Sequence, residues 1–301
     1  MDTRPRLGFV GLGLMGSAMT LRLLERGWTV HVWNLEPERV PPMVAAGAIA
    51  EASPAAVTGA ADIVLMCVLH TAAVEQCVFG EGGIAHSASA SKMLVDHSTA
   101  DPDATRAMSR RLVEQTGMRW IDAPVSGGPP AARAGEMTVM AGGNADDIIA
   151  IQPVMQDLAA NFTHVGAVGA GQTAKVINQA IVGTGYVLMA EALTLAEAAG
   201  IDAAKLPQCL AGGHADSNLL RKLYPQMQAR DFDPPRAFAR QLLKDMKAVA
   251  AFAHDLGLTL PVVEAALERY DTYVAQGNEM RDSASIVRLY ERNDTRSPRD
   301  A

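Results

Sequence analysis

The chain has 301 residues, more than a single hydrophobic core usually serves, so two domains are expected. Hydrophobic residues make up 49% and charged residues 20%, an ordinary globular balance. A formal charge of -7 argues against nucleic acid or an anionic membrane as partner and points to small molecules or further copies of the chain.

In chain order, short apolar runs alternate with helical patterns through the first half, the signature of a parallel sheet built from βαβ units. Strands are predicted at 6–10, 29–33, 63–68, 93–97, 120–124, 138–141 and 163–165. The intervening helices include 14–26, 102–116 with Asp101 as N-cap, and 145–158 with Asn144 as N-cap. From about Gly169 the strand signal disappears, and helices are predicted at 172–199, 203–211, 238–256 and 261–277, the last with Pro261 in its first turn. The reading is an α/β domain over 1–168, an all-helical domain over 169–292 and a polar, mobile tail over 293–301, with the glycines Gly166, Gly169 and Gly171 at the junction.

The stretch GLGLMG places Gly11, Gly13 and Gly16 after an apolar run and before an amphipathic helix. That is the context a dinucleotide fingerprint requires. The first glycine permits a tight turn, the second lets backbone approach a pyrophosphate, and the third packs helix on strand. The helix N-terminus then offers N–H groups to phosphates; the plainer reading is a tight turn that needs small residues. The second strand ends at Asn34, Leu35 and Glu36. Asn34 can hydrogen-bond a ribose 2′-OH, Leu35 offers nothing to a phosphate and Glu36 repels one, so NAD is favoured over NADP, with Arg39 a turn later read either as a phosphate partner or as a solvated helix residue.

The segment DAPVSGGPPAARAGEM is predicted to be non-helical at Gly127-Gly128-Pro129-Pro130. Consecutive N–H groups at Ser126, Gly127 and Gly128 can form an anion nest for a carboxylate, or the segment is simply a turn. Arg133 is read as exposed, the other reading being a second anion contact. In GAGQTAKVINQ, Lys175 is the only Asp, Glu, Lys or Arg between Asp157 and Glu191. In the first turn of a helix starting at 171 or 172, both the macrodipole and burial push its amine's pKa down, toward the range of a proton-transfer group. Asn178 and Gln179 follow three and four residues later on the same face. The alternative is a lysine snorkelling to solvent.

The ordered motifs GLGLMG, DHSTADP, DAPVSGG, GAGQTAKVINQ and LLKDM, spread over nearly the whole chain, resemble the β-hydroxyacid dehydrogenase family, the group of 3-hydroxyisobutyrate dehydrogenase and tartronate semialdehyde reductase. The resemblance implies a Rossmann-type domain joined by a long interdomain helix to an all-α domain that builds a homodimer or homotetramer. It implies an NAD(P)-dependent enzyme that interconverts a small 3-hydroxy acid and its semialdehyde or 3-oxo acid. Residue by residue, it gives Lys175 the acid/base role with Asn178 beside the reacting oxygen, and the substrate carboxylate to Ser126, Gly127 and Gly128, with Gln179 nearby. The cofactor falls to Gly11, Leu12, Gly13, Leu14, Met15, Gly16, Asn34, Leu35, Val68, Leu69, Thr99 and Lys244, with Asp245 as a support. Departures from the family pattern are Leu35 where NADP users carry Arg, Asn34 where NAD users carry Asp, Val68-Leu69 in place of Leu-Pro, and Gln179 in place of Asn.

Other residues add little chemistry. Cys67, Cys77 and Cys209 form no CxxC pair and suit a reducing cytoplasm, and seven histidines show no ligand spacing, so no metal is expected. The N-terminus reads as having no secretory leader, and the apolar run 176–190 is short for a bilayer and holds Asn178 and Gln179, so no membrane is expected. The competing readings are an imine reductase, whose relatives generally lack a lysine at the position of Lys175, and a non-catalytic nucleotide-binding module.

Overall fold

The computed structural model describes residues 4–291, so the tail expected over 293–301 lies outside the described residues. The chain divides between Lys175 and Val176 into two compact units.

The first unit alternates strand and helix as β1 (Leu7–Val10), α1 (Leu14–Glu25), β2 (Val30–Trp33), α2 (Val40–Ala45), β3 (Ile49–Ala50), α3 (Pro54–Ala60), β4 (Ile63–Met66), α4 (Thr71–Phe79), β5 (Met93–Asp96), α5 (Pro102–Thr116) and β6 (Arg119–Asp122). Then follow β7 (Val125–Ser126), α6 (Gly128–Ala134), β8 (Met137–Gly142), α7 (Ala145–Leu158) and β9 (Ala159–Gly166). The strands form one sheet in the order β3-β2-β1-β4-β5-β6-β8-β7, with β9 on β8. Every residue of β1, β4 and β5 is buried, because both faces are covered. Leu7, Phe9, Leu65 and Val95 pack with Met19, Leu23, Ala132, Ile151 and Met155 from α1, α6 and α7. Val10, Val64 and Leu94 pack with Val57, Val74, Val78 and Leu112 from α3, α4 and α5. The capping expectations hold: Asp101 accepts the Ala104 N–H at 2.7 Å and Asn144 accepts the Asp146 N–H at 2.9 Å.

Two expectations are corrected. The sheet is not wholly parallel, since β8 pairs antiparallel with β6 and β7. The connection between β7 and β8 covers only residues 127–136, too short for a parallel crossover. Gly128, Pro129 and Pro130 are also helical, forming the first turn of α6. Proline is tolerated there because the N–H it lacks has no acceptor inside the helix.

The helix α8 (Ala170–Ala198) begins in the first unit and continues into the second. With 29 residues it is long and apolar enough to cross a membrane by length and composition, unlike the shorter run expected from sequence. The second unit adds α9 (Leu206–Cys209), α10 (Tyr224–Gln228), α11 (Ala239–Asp255) and α12 (Pro261–Tyr273). Its core joins Ala190 and Leu193 of α8 to Tyr224, Met246, Val249, Tyr270 and Tyr273. The helix expected over 203–211 is split into a 3-10 turn, Ala203–Lys205, and α9, which restarts with Pro207 in its first turn. The helix expected to reach Gly277 is regular only to Tyr273 and then widens over Val274–Asn278.

Candidate active site

In the first unit, Gly11 leaves β1 where the strand order reverses, between β2 on one side and β4 on the other. Its φ of +97° and the 2.4 Å that would separate an added Cβ from the Cys67 carbonyl oxygen restrict the position to glycine. At Gly16 a Cβ would lie 1.9 Å from the Gly11 oxygen, so this residue lets α1 pack on its own turn. Gly13 differs: nothing lies within 4 Å of an added Cβ, and it heads α1 without any side-chain cap bond. Open space beside an uncapped helix N-terminus is what a pyrophosphate needs. The residues present therefore fit a dinucleotide, with exposed Leu14 and half-buried Met15 in the first turn beside it.

At the end of β2 the side chains are arranged differently from expectation. Asn34 is buried, and its Oδ1 accepts the Leu12 N–H at 2.7 Å. Its Nδ2 donates to the Glu36 carbonyl at 3.0 Å and to the Glu36 carboxylate at 2.8 Å. Both amide hydrogens are thus engaged within the protein, and the group fixed at the strand end is the Glu36 carboxylate, with Leu35 exposed beside it.

The loops after β4 and β5 are tied together. The Val68 N–H donates to Ser98 Oγ at 2.9 Å, and the Ser98 N–H donates to Asp96 Oδ1 at 2.9 Å. Thr99 is half-buried between buried Ser98 and Ala100, while Leu69 is exposed. Burial pushes the Asp96 carboxyl up to about 7, with neighbouring Asp122 adding repulsion. Burial pulls the His97 imidazole down to about 4, against the support of the Ala123 carbonyl at 2.7 Å from Nδ1.

Ser126 ends β7, opposite Thr138, and Gly127 turns the chain into α6 with φ +126°. Because Pro129 and Pro130 carry no N–H, the consecutive backbone donors at this turn are those of Ser126, Gly127 and Gly128. Arg133 is ion-paired with Glu25 rather than left to solvent alone.

Lys175 is 7% exposed, which removes the snorkelling reading. The helix, however, starts at Ala170, so Lys175 stands in the second turn, where the macrodipole has largely faded. Asp122, at the end of β6, also places its carboxylate on that helix start: Oδ1 accepts the Gly169 N–H at 2.7 Å and Oδ2 the Gln172 N–H at 2.8 Å. The dipole argument is therefore corrected, and burial is the feature that sets this lysine apart. Burial raises the Asp122 pKa, and the N–H groups it accepts oppose that rise.

In the second unit a chain of polar side chains runs from α8 to α11. Asn178 Nδ2 donates to Gln179 Oε1 at 2.8 Å, and Gln179 Nε2 donates to Asp245 at 2.6 Å. Lys244 Nζ lies 3.0 Å from the same carboxylate group. Both ends of the Gln179 amide are thus engaged, an arrangement that orients Asn178.

Sequence reasoning assigned no role to Asp122 or Gln172. Gln172, 0% exposed, has its Oε1 on the Ala100 N–H at 3.0 Å and its Nε2 on the Ser98 carbonyl at 2.8 Å. The available signal was an amide three residues before Lys175 in a helix start otherwise made of small residues.

Comparison with known proteins gives two family models that together span the chain: the NAD binding domain of 6-phosphogluconate dehydrogenase over residues 6–166, and the NAD-binding region of NADP-dependent 3-hydroxyisobutyrate dehydrogenase over 169–290. The chain is 35% identical to 2-hydroxy-3-oxopropionate reductase of Escherichia coli (strain K12), over 95% of this chain and 97% of that one. It is 31% identical to L-threonate dehydrogenase of Cupriavidus necator, over 94% and 95% respectively. A crystal structure of 3-hydroxyisobutyrate dehydrogenase from Salmonella typhimurium superposes with a TM-score of 0.84 at 29% identity, covering 94% of this chain and 99% of that one. An imine reductase from Pseudomonas sp., at 21% identity and a TM-score of 0.62 over 96% of this chain and 100% of that one, shares the fold.

Proposed function

Since the chain belongs to the β-hydroxyacid dehydrogenase family and is an NAD(P)-dependent oxidoreductase acting on the CH–OH group of hydroxy acids, we propose that it interconverts a small 3-hydroxy acid and its semialdehyde or 3-oxo acid, with Lys175 moving the proton. The observation that carries this reading is an ammonium buried to 7% exposure in GAGQTAK, on a helix whose start is pinned by the first residue of DAPVSGG.

The nicotinamide, when bound, supplies hydride acceptance and donation at the hydroxyl-bearing carbon. In the oxidation direction Lys175, as the free amine, takes the proton from the substrate oxygen, and as ammonium it returns that proton when the carbonyl is reduced. Asn178, one helical turn on, donates to the same oxygen. The N–H groups of Ser126, Gly127 and Gly128 hold the carboxylate. Gln179 orients Asn178, and Lys244, supported by Asp245, attends the nicotinamide. For the cofactor we favour NAD: the Asn34-held Glu36 carboxylate suits a ribose hydroxyl and repels a 2′-phosphate. The exposed Ile177, Ile181, Leu188 and Leu195 recur on one face of α8, an apolar stripe suited to burial by a second copy in a homo-oligomer; equilibrium sedimentation checks that.

A panel of semialdehydes and 3-hydroxy acids, each assayed with NAD(H) and NADP(H), tests the reading. Lys175→Ala should lower kcat roughly 10²- to 10⁴-fold while cofactor affinity survives. A folded, cofactor-binding variant with near-normal turnover would remove the acid/base role.

A further inference from the structure

We propose that Gln172 is a positioning residue that fixes the segment carrying Thr99 relative to Lys175, an inference that rests on the acid/base reading of Lys175. Hydride and proton transfer converge on one C–O bond, yet Thr99, among the residues assigned to the cofactor, and Lys175, assigned to the proton, stand on separate segments. Thr99 lies in the loop after β5, and Lys175 lies on α8.

Gln172 is joined to both sides by three of its own atoms. Its backbone N–H donates to Asp122 Oδ2 at 2.8 Å, anchoring the helix start to the end of β6. Its side-chain Oε1 accepts the Ala100 N–H at 3.0 Å, and its Nε2 donates to the Ser98 carbonyl at 2.8 Å. The two side-chain bonds flank Thr99, as a neighbouring parallel strand would engage the residues on either side of its partner. Ser98 extends the connection, because its Oγ accepts the Val68 N–H at 2.9 Å. Lys175 follows three residues later, nearly above Gln172 on the same helix face. Turning the helix by one residue would break the whole set.

The chemistry is specific to an amide. One face of the clamp needs an acceptor and the other a donor, both without solvent, since Gln172 is 0% exposed. Leucine supplies neither. An ionised glutamate presents two acceptors and repels the Ser98 carbonyl, whereas a protonated glutamic acid supplies the donor and the acceptor in the same shape. Burial favours that protonated form.

The test compares Gln172→Leu, Gln172→Glu and Lys175→Ala by steady-state kinetics, thermal melting and the primary isotope effect with a 4-deuterated reduced nicotinamide cofactor. For Gln172→Leu we expect kcat about 10- to 100-fold lower, the scale on which a misplacement of about 1 Å slows a reaction. The KM for the acid should stay near wild type and the isotope effect should increase. For Gln172→Glu the deficit should shrink relative to wild type as pH falls from about 8 to about 6, a recovery that loss of folding alone does not produce. Wild-type kcat and isotope effect in Gln172→Leu, or losses in both variants that follow only the folded fraction with no recovery at low pH, would overturn the clamp. If Lys175→Ala is slow while Gln172→Leu behaves as wild type, only the clamp fails. If Lys175→Ala turns over normally, the acid/base reading fails and the clamp with it.

Discussion

Asp96→Asn should stabilise the protein increasingly as pH rises, and the size of the effect follows from the strand end it occupies. Asp96 is fully buried; Oδ1 accepts the Ser98 N–H, and Oδ2 has no hydrogen-bond partner among the described residues. Burial raises its pKa from the ordinary 3.8 to about 7. Between those values the folded state holds a proton that the unfolded state has released, so wild-type stability falls with rising pH there. Each pH unit is worth about 1.4 kcal/mol, so up to ~4 kcal/mol accumulates by neutral pH. Asparagine keeps the acceptor for Ser98 and carries no charge. The difference in unfolding free energy between Asp96→Asn and wild type should therefore rise from pH ~4 and level off above pH ~7. Urea unfolding at a series of pH values measures it, and contributions common to both proteins cancel. His97 runs the other way: held neutral down to about 4 against the ordinary 6.5, it adds stability as pH rises through that window. In Asp96→Asn that rise is no longer offset by Asp96. A variant-minus-wild-type difference independent of pH would refute the argument that Asp96 is buried at an energetic cost to the charged form.

Two further perturbations address ligand selection. Gly127→Val should raise KM for the acid by about tenfold or more with little change in NAD(H) affinity, because the residue needs φ +126° and a Cβ would lie 2.7 Å from that of Ala131; an unchanged KM, or equal activity on alcohols lacking the carboxylate, would clear the loop of that role. The ratio of kcat/KM for NAD over NADP should exceed one and narrow by about tenfold in Glu36→Gln, since each unit charge pair at 4 Å in water is worth about 1 kcal/mol; an NADP preference in the wild type would point to Arg39 as the phosphate partner.

What was legible in the sequence follows the range of the interaction that decides it. The helices Pro102–Thr116 and Ala145–Leu158 were read to the residue, because Asp101 and Asn144 cap them locally and an apolar period follows. The local geometry at Gly11, Gly13 and Gly16 was also legible, since turn, opening and packing are set within one strand-turn-helix unit. The α6 start was misread because proline's helix-breaking effect was applied to a first turn, where it does not operate. The two-residue strands β3 and β7 carry no period to detect. Asn34 illustrates a deeper limit: a free Asn at a strand end suits a ribose, and only the fold reveals that Leu12 and Glu36 have taken its amide. Gln172 was opaque for the same reason, as its partners Ser98 and Ala100 are more than seventy positions away.

The strand ends that carry the candidate chemistry also carry charge placements that stability alone would disfavour. Asp96 and Asp122 are register partners on β5 and β6, both buried and both with raised pKa values. Two adjacent carboxylates in a low-dielectric site are less stable than an apolar pair of the same shape. Each, however, fixes a backbone segment: Asp96 holds Ser98, and Asp122 holds the start of α8 at Gly169 and Gln172. The segments so fixed are the ones that flank Thr99 and precede Lys175. Positional accuracy at a site where a misplacement of about 1 Å slows turnover about 100-fold is a gain of nearly 3 kcal/mol in the barrier, comparable with the stability given up at one buried carboxylate. An Asp96→Asn protein that is more stable at neutral pH is therefore the expected sign of a site held in place by groups the fold alone would not favour.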